Sequence, residues 1–253
     1  MKFLFLITTF KKNLKKCDLV NVTYGKDLLE KKIDYYFVSG DKLPYKNSIY
    51  IKHNESYEQL PLKTFLMLNA IKEFKYDFII KVNDDTFVDV DRLLKLNVVG
   101  YDYIGKFNFT KKEKNKKIHF YKIKDTSFFK DKKLSEVEWA EGGFYILSKK
   151  AVKKILSEDP SIFINTPETY RGEDEIIGNI LKDFKKYNIK DEKLSNELHM
   201  DVTQGGISFH PIHSFIFESL YATKNTNLKV ELLKQKYYLN EYFLRDEFLK
   251  KYE

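Results

Sequence analysis

An apolar run in this chain stops abruptly at two adjacent carboxylates. The stretch Tyr76-Asp77-Phe78-Ile79-Ile80-Lys81-Val82-Asn83-Asp84-Asp85-Thr86-Phe87-Val88 reads as a buried strand ending at Asn83, Asp84 and Asp85. Uncompensated carboxylates are costly to desolvate, and no cationic residue adjoins Asp85 in sequence. Hard oxygen donors suit Mg²⁺ or Mn²⁺, which often complete their shell with diphosphate oxygens. In open α/β sheets, ligands sit outside the carboxyl ends of the strands. The pair therefore marks the place of a metal–nucleotide. Asp also favours turns and helix N-caps, and Asp89 and Asp91 can start a helix over Val90–Leu96. That plainer reading of the pair stays open here.

Three further segments carry residues able to do chemistry. His53-Asn54-Glu55-Ser56-Tyr57-Glu58-Gln59-Leu60-Pro61-Leu62-Lys63-Thr64 leads into a long helix. Trp139–Ser148 sets Gly142 and Gly143 at the head of an apolar strand, where glycine allows another group to approach closely. Glu173-Asp174-Glu175-Ile176-Ile177-Gly178 gives an amphipathic helix an acidic start. His210 and His213 follow in Ile207–His213.

The elements that must position these residues alternate. Strands are expected at Phe3–Thr9, Ile33–Ser39, up to Asp84, Asp102–Gly105 and around Tyr145–Leu147. Helices are expected at Glu58–Lys72, with Pro61 tolerated in the first turn, Lys149–Leu156 and Glu173–Phe184. Residues Ile176, Ile177, Ile180, Leu181 and Phe184 keep helical spacing in the last of these. Strands alternating with helices argue for an α/β fold with a mixed, mostly parallel sheet. Residues 106–135, rich in lysine and aromatics, read as a long loop or irregular hairpin. Such loops are often functional, and a plain solvated loop is the alternative. In the tail, Leu233, Tyr237, Leu244 and Phe248 fall 4, 7 and 4 residues apart, one stripe of an amphipathic helix. The expected organisation is one domain over 1–225 and a helical extension over 226–253 packed on it.

Bulk properties bound the partners. A chain of 253 residues with 43% apolar content can build a sizeable core, much of it aromatic given 18 Tyr and 21 Phe. The net charge of +8 is nearly all lysine, since only Arg92, Arg171 and Arg245 are arginine. Lysine offers solvated point charges rather than bidentate phosphate forks, so nucleic acid is not the expected partner. Cys17 is the only cysteine, which excludes an internal disulfide and fits a reducing compartment. The apolar N-terminus is too short for a membrane span, which needs roughly 20 residues. A cytoplasmic location without a transmembrane segment is expected.

Four segments in order resemble glycosyltransferase family 31, the β-1,3-galactosyl-, β-1,3-N-acetylglucosaminyl- and fringe-type transferases. Tyr57–Thr64 resembles its Tyr-x-Asn-Leu-(Thr/Pro)-Leu-Lys-Thr segment, and Lys81–Val88 its Lys-x-Asp-Asp-Asp-x-Phe-Val segment. Gly142–Ser148 resembles its Gly-rich Tyr-(Val/Ile)-(Leu/Phe)-Ser segment, and Glu173–Gly178 its Glu-Asp-x-x-x-Gly segment. The match runs from about Ile33 to His210. The resemblance implies a GT-A fold, Mn²⁺ or Mg²⁺, and a UDP-sugar donor. It also implies inverting transfer of a hexose to a glycan or glycosylated protein, forming a β-1,3 linkage. It further implies that Asp85 and His210 bind the metal, with His213 in reserve, and that Asp174 is the catalytic base. Asn83, Asp84, Lys63 and Thr8 fall to the donor. Asn83 replaces the first Asp of the family triplet, keeping an oxygen acceptor and losing a charge. Glu141 stands where many relatives carry Ser, next to the expected sugar pocket.

Two other classes compete with this reading. A two-metal phosphoesterase needs more clustered acidic or His ligands than the chain offers. A glycan- or UDP-sugar-binding module with the same fold but no turnover is hinted at by Asn83 alone. UDP release from a donor separates it from an enzyme.

Overall fold

A computed structural model describes residues 1–108, 138–165, 172–189, 203–204, 208–209 and 221. A seven-stranded sheet runs in the order β3-β2-β1-β4-β7-β6-β8. Its strands are β1 (Phe3–Thr8), β2 (Asp34–Ser39), β3 (Ser48–Tyr50), β4 (Phe78–Asn83), β6 (Tyr103–Asn108), β7 (Trp139–Ser148) and β8 (Lys186–Asn188). Neighbours are parallel except across β7, which pairs antiparallel with both β4 and β6. The sheet is therefore mixed and mostly parallel, as expected for a GT-A fold. A small antiparallel sheet joins β5 (Phe87–Val88), β10 (Ser208–Phe209) and β9 (Thr203–Gln204).

Central strands covered on both faces must be apolar throughout. In β1, Phe3, Phe5 and Ile7 join one core while Leu4 and Leu6 join the other, all of them buried. The first core packs under α1 (Leu14–Val22), α2 (Tyr24–Glu30) and α4 (Val90–Leu94) through Cys17, Val20, Tyr24, Leu28, Val90 and Leu93. The second packs under α3 (Leu60–Ala70), α5 (Lys149–Leu156) and α6 (Glu173–Ile180). The helices thus form a layer on each face of the sheet.

The expected strands and helices are present with shifted ends. The helix expected over Glu58–Lys72 is a 3₁₀ turn, Tyr57–Gln59, followed by α3. The strand expected to stop at Gly105 runs to Asn108, so residues 106–108 belong to β6 rather than to a loop. The rest of the 106–135 segment lies outside the described residues. So does the 226–253 tail. Helices α1 and α2 carry no clear stripe in sequence. Only Cys17 and Val20 of α1 are buried, and paired lysines break the pattern.

Candidate active site at the carboxyl ends of β1 and β4

β1 and β4 pair in parallel and end together, with Thr8 opposite Asn83. Because β7 runs the other way, its first residues reach the same end of the sheet, and Val82 pairs with Phe144 just beyond Gly143. The start of α6 arrives there too. Gly178 allows this approach, since a Cβ at that position would lie 2.7 Å from both the Glu138 carbonyl oxygen and the Trp139 Cβ. One residue without a side chain thus brings the helix carrying Asp174 onto β7.

Asp84 and Asp85 occupy a turn between β4 and β5, closed by the Thr86 amide donating to the Asn83 carbonyl at 3.1 Å. The turn and strand-end readings of the pair therefore hold together. Asp89 caps α4 by accepting from the Arg92 amide at 3.1 Å. The two carboxylates differ in environment. Asp84 is buried, and its Oδ2 accepts 2.7 Å hydrogen bonds from Thr9 Oγ1 and Asn13 Nδ2. Burial raises its pKa, opposed by Lys16. Asp84 ties the turn to the β1–α1 junction, so both of its oxygens face protein groups. Asp85 is more open, with its side chain 28% exposed.

No cationic residue adjoins Asp85 in sequence, but the fold brings one from a distant helix. Lys16 on α1 places Nζ 3.8 Å from Asp85 Oδ2 and 3.4 Å from Asp84 Oδ1. These residues are about seventy positions apart in sequence, so only the packing of α1 against the end of β4 reveals the contact.

On the opposite face of the sheet, Lys81 links three elements. Its ammonium donates to Asn83 Oδ1 at 2.9 Å, to the Gly142 carbonyl, and to Glu173 Oε2 at 3.3 Å. Thr8 Oγ1 donates to the same Asn83 oxygen at 2.9 Å. Since lysine can only donate, Asn83 must turn its carbonyl oxygen inward. Glu173 also accepts from the Tyr145 hydroxyl at 2.7 Å, and is thereby held on both oxygens. In the sequence Lys81 stands out only as the start of a motif. A lysine inside an apolar strand was the available signal, because a charge there must have partners.

Asp174 follows Glu173 as the second residue of α6, whose cap position is Gly172 with no side-chain cap. Its Oδ1 accepts from the Glu175 amide at 3.0 Å. Its Oδ2 lies 4.0 Å from where a Gly142 Cβ would stand, so the missing side chain leaves room beside this carboxylate. Burial, and then Glu173, raise its pKa to about 6. The helix start alone would favour the ionised form. Desolvation and a neighbouring acid outweigh the helix dipole.

Lys63 is buried. It donates at 2.6 Å both to the Thr9 carbonyl and to Glu55 Oε2, while Glu55 accepts from the Gly40 amide. Burial lowers its pKa. In this arrangement it braces the end of β1 from behind. Glu141 pairs with buried Lys106 at 3.2 Å across β6 and β7. His210 and His213 lie outside the described residues. Their nearest described neighbour in the chain, Phe209, pairs with Phe87, two positions after Asp85.

A divalent cation can be weighed against this donor set. Among the described residues, no three His, Cys, Asp or Glu side chains gather as a ligand cluster. Asp85 supplies one partly open carboxylate at a strand end. That fits a cation which keeps waters and takes phosphate oxygens, as Mg²⁺ and Mn²⁺ do, and does not suit one enclosed by protein ligands.

An α/β sheet with an acidic turn ending its central strand, and a buried carboxylate on the helix beside it, is the arrangement expected of a GT-A-type domain. The family model described as Galactosyltransferase matches residues 24–193, and the chain belongs to that family of glycosyltransferases. No curated protein matches the sequence. Among solved structures it is similar to the glycosyltransferase GlyE of Streptococcus pneumoniae TIGR4, with 10% identity, TM-score 0.46, 93% of this chain and 64% of that one covered. It is also similar to the galactosyltransferase LgtC, with 10% identity, TM-score 0.42, 71% and 70% covered. The catalytic domain of Drosophila β1,4-galactosyltransferase 7 is similar at 11% identity and TM-score 0.39, with 72% and 61% covered. The chain spans about two thirds of the length of such structures. Among the described residues, no helix is long and apolar enough to cross a membrane.

Proposed function

We propose that the chain transfers a hexose from a UDP-sugar to an acceptor hydroxyl, with inversion and with help from Mn²⁺ or Mg²⁺. Galactose, N-acetylglucosamine and glucose are the candidate sugars, a β-1,3 bond is the expected linkage, and a glycan or glycosylated protein is the acceptor. The observation that carries the reading is that the helix start bearing Asp174 is joined to the strand end that leads into the acidic turn. Lys81 holds Asn83, Gly142 and Glu173 in one network, so the end of β4 and the start of α6 are fixed relative to each other.

Asp174 takes the proton of the acceptor hydroxyl. The acceptor oxygen attacks the anomeric carbon from the face opposite the diphosphate. The bond to the leaving oxygen breaks, and its electron pair departs on UDP. Asp174 must be ionised for this, and the space beside Gly142 admits the acceptor. Glu173 is bound to Lys81 and Tyr145 on its two oxygens, which leaves Asp174 as the acid positioned for the work. Asp85 would hold the cation, with His210, one residue past Phe209, as its second protein ligand. When bound, the cation neutralises charge on the departing diphosphate.

The test is UDP release from a panel of UDP-sugars with Mn²⁺, with and without acceptors and EDTA. One donor should be consumed, EDTA should stop the reaction, and Mn²⁺ should restore it. UDP-sugar binding with no release on any acceptor would favour the binding-module reading. Full turnover in metal-free buffer would remove the metal from the proposal.

A further inference from the structure

Lys16 stands where a cation is wanted. Its ammonium lies 3.4 Å from Asp84 Oδ1 and 3.8 Å from Asp85 Oδ2, and its side chain is 31% exposed. Asp84 also accepts from Thr9 and Asn13 on its other oxygen, so Lys16 is one of three groups that hold it. Asp85 is the more open partner, and the longer contact belongs to it. A lysine ammonium on a flexible four-carbon stem is a mobile point charge and a good phosphate partner. Lys11, Lys12 and Lys15 follow the same strand end and make the region positive.

We propose that Lys16 is the resident cation of the Asp84–Asp85 turn, and that it moves to the donor's diphosphate when a divalent cation takes Asp85. This rests on the transferase reading above. An ammonium 3.8 Å from Asp85 Oδ2 repels a divalent cation that binds the same carboxylate. Lys16 therefore opposes the metal when nucleotide is absent and favours the nucleotide once metal is present. Its contributions to the two affinities have opposite sign. A residue that merely supports the turn would weaken both.

The experiment measures free Mn²⁺ by electron paramagnetic resonance, and UDP binding by calorimetry in saturating Mn²⁺. Wild type is compared with Lys16→Met and Lys16→Arg. Lys16→Met should tighten Mn²⁺ by at least about five-fold, the scale of removing one charge about 4 Å away in water-like surroundings. The same variant should weaken UDP by about tenfold, as for one lost charged hydrogen bond. Lys16→Arg keeps the charge and should stay near wild type in both. Unchanged or weaker Mn²⁺ binding in Lys16→Met overturns the inference, as does a Lys16→Arg variant that behaves like Lys16→Met. Should wild type bind neither Mn²⁺ nor UDP, the transferase reading falls with it. Should wild type bind both and Lys16→Met match it, only the role of Lys16 falls. If Lys16→Met does not fold, Lys16→Gln removes the same charge and is read by the same outcomes.

Discussion

Asp174 must be deprotonated to act as a base, yet burial and Glu173 favour its neutral form and set its pKa at about 6. The free protein's kcat/KM should therefore rise with pH through about 6 and level off above it, read from initial rates of UDP release. Asp174→Asn should lower kcat by roughly 10²–10⁴, the range for losing a general base, and abolish that rise. The sign for stability is opposite. A carboxyl raised in the folded state stabilises fully below its unfolded pKa of 3.8 and loses that contribution as pH rises through about 6. Asp174→Asn should therefore melt higher than wild type near neutral pH, and match it most closely in acid. A variant that melts lower at neutral pH while keeping its turnover would identify Asp174 as a structural residue. Asp85→Ala should lose Mn²⁺-dependent UDP binding in calorimetry. The part of UDP affinity that survives EDTA should stay.

The approach of α6 to β7 is what turns an acidic helix start into a site. Gly178→Ala would drive a methyl group into the Glu138 carbonyl and the Trp139 Cβ. Overpacking of this kind costs roughly 1–3 kcal/mol. Urea unfolding should show that loss, and kcat should fall because Asp174 moves with the helix. Lys81 fixes the same junction from the strand side. The Lys81–Glu173 pair is nearly closed to solvent, at 2% and 9% exposure. Lys81→Met should cost about 3–5 kcal/mol, since it strands a buried carboxylate. Lys81→Met combined with Glu173→Leu should be less damaging than Lys81→Met alone. If the double variant loses the sum of both single effects, the two residues do not act as a pair.

The molecule as a whole puts its two acidic groups on different faces of one sheet. Asp84 is tied to the β1–α1 junction through Thr9 and Asn13 and to α1 through Lys16, whereas Asp174 rides on α6, whose Glu173 is held to β7 by the Tyr145 hydroxyl. Both layers rest on β1, whose Phe5 and Leu6 are fully buried in opposite cores. A donor and acceptor bound together must therefore span the end of the sheet, where β1 and β4 finish. Hydrogen exchange should slow at residues 9–14 and at the start of α6 when UDP-sugar and Mn²⁺ are added. Slowing confined to one of these places would show that the bound donor does not bridge the two layers.

The alternation of elements, the α/β class, the acidic turn and the acidic helix start are legible in the chain. Each is a local pattern. An apolar run such as Phe78–Val82 has to be buried, a helical stripe such as Ile176, Ile177 and Ile180 has to face a core, and four motifs in order pointed to the family that residues 24–193 match. Helices α1 and α2 were hidden because their buried residues are few and lysines interrupt them. The charges around the site come from packing between distant elements. Lys16 reaches Asp85 across about seventy residues of chain, and Lys81 reaches Glu173 across ninety-two. Packing also turns Asp84 inward, sets Lys63 behind β1, and raises the Asp174 pKa to about 6 through burial and Glu173. The reason is physical. A side chain's partners and its exposure to water depend on which elements meet, and pKa follows from both.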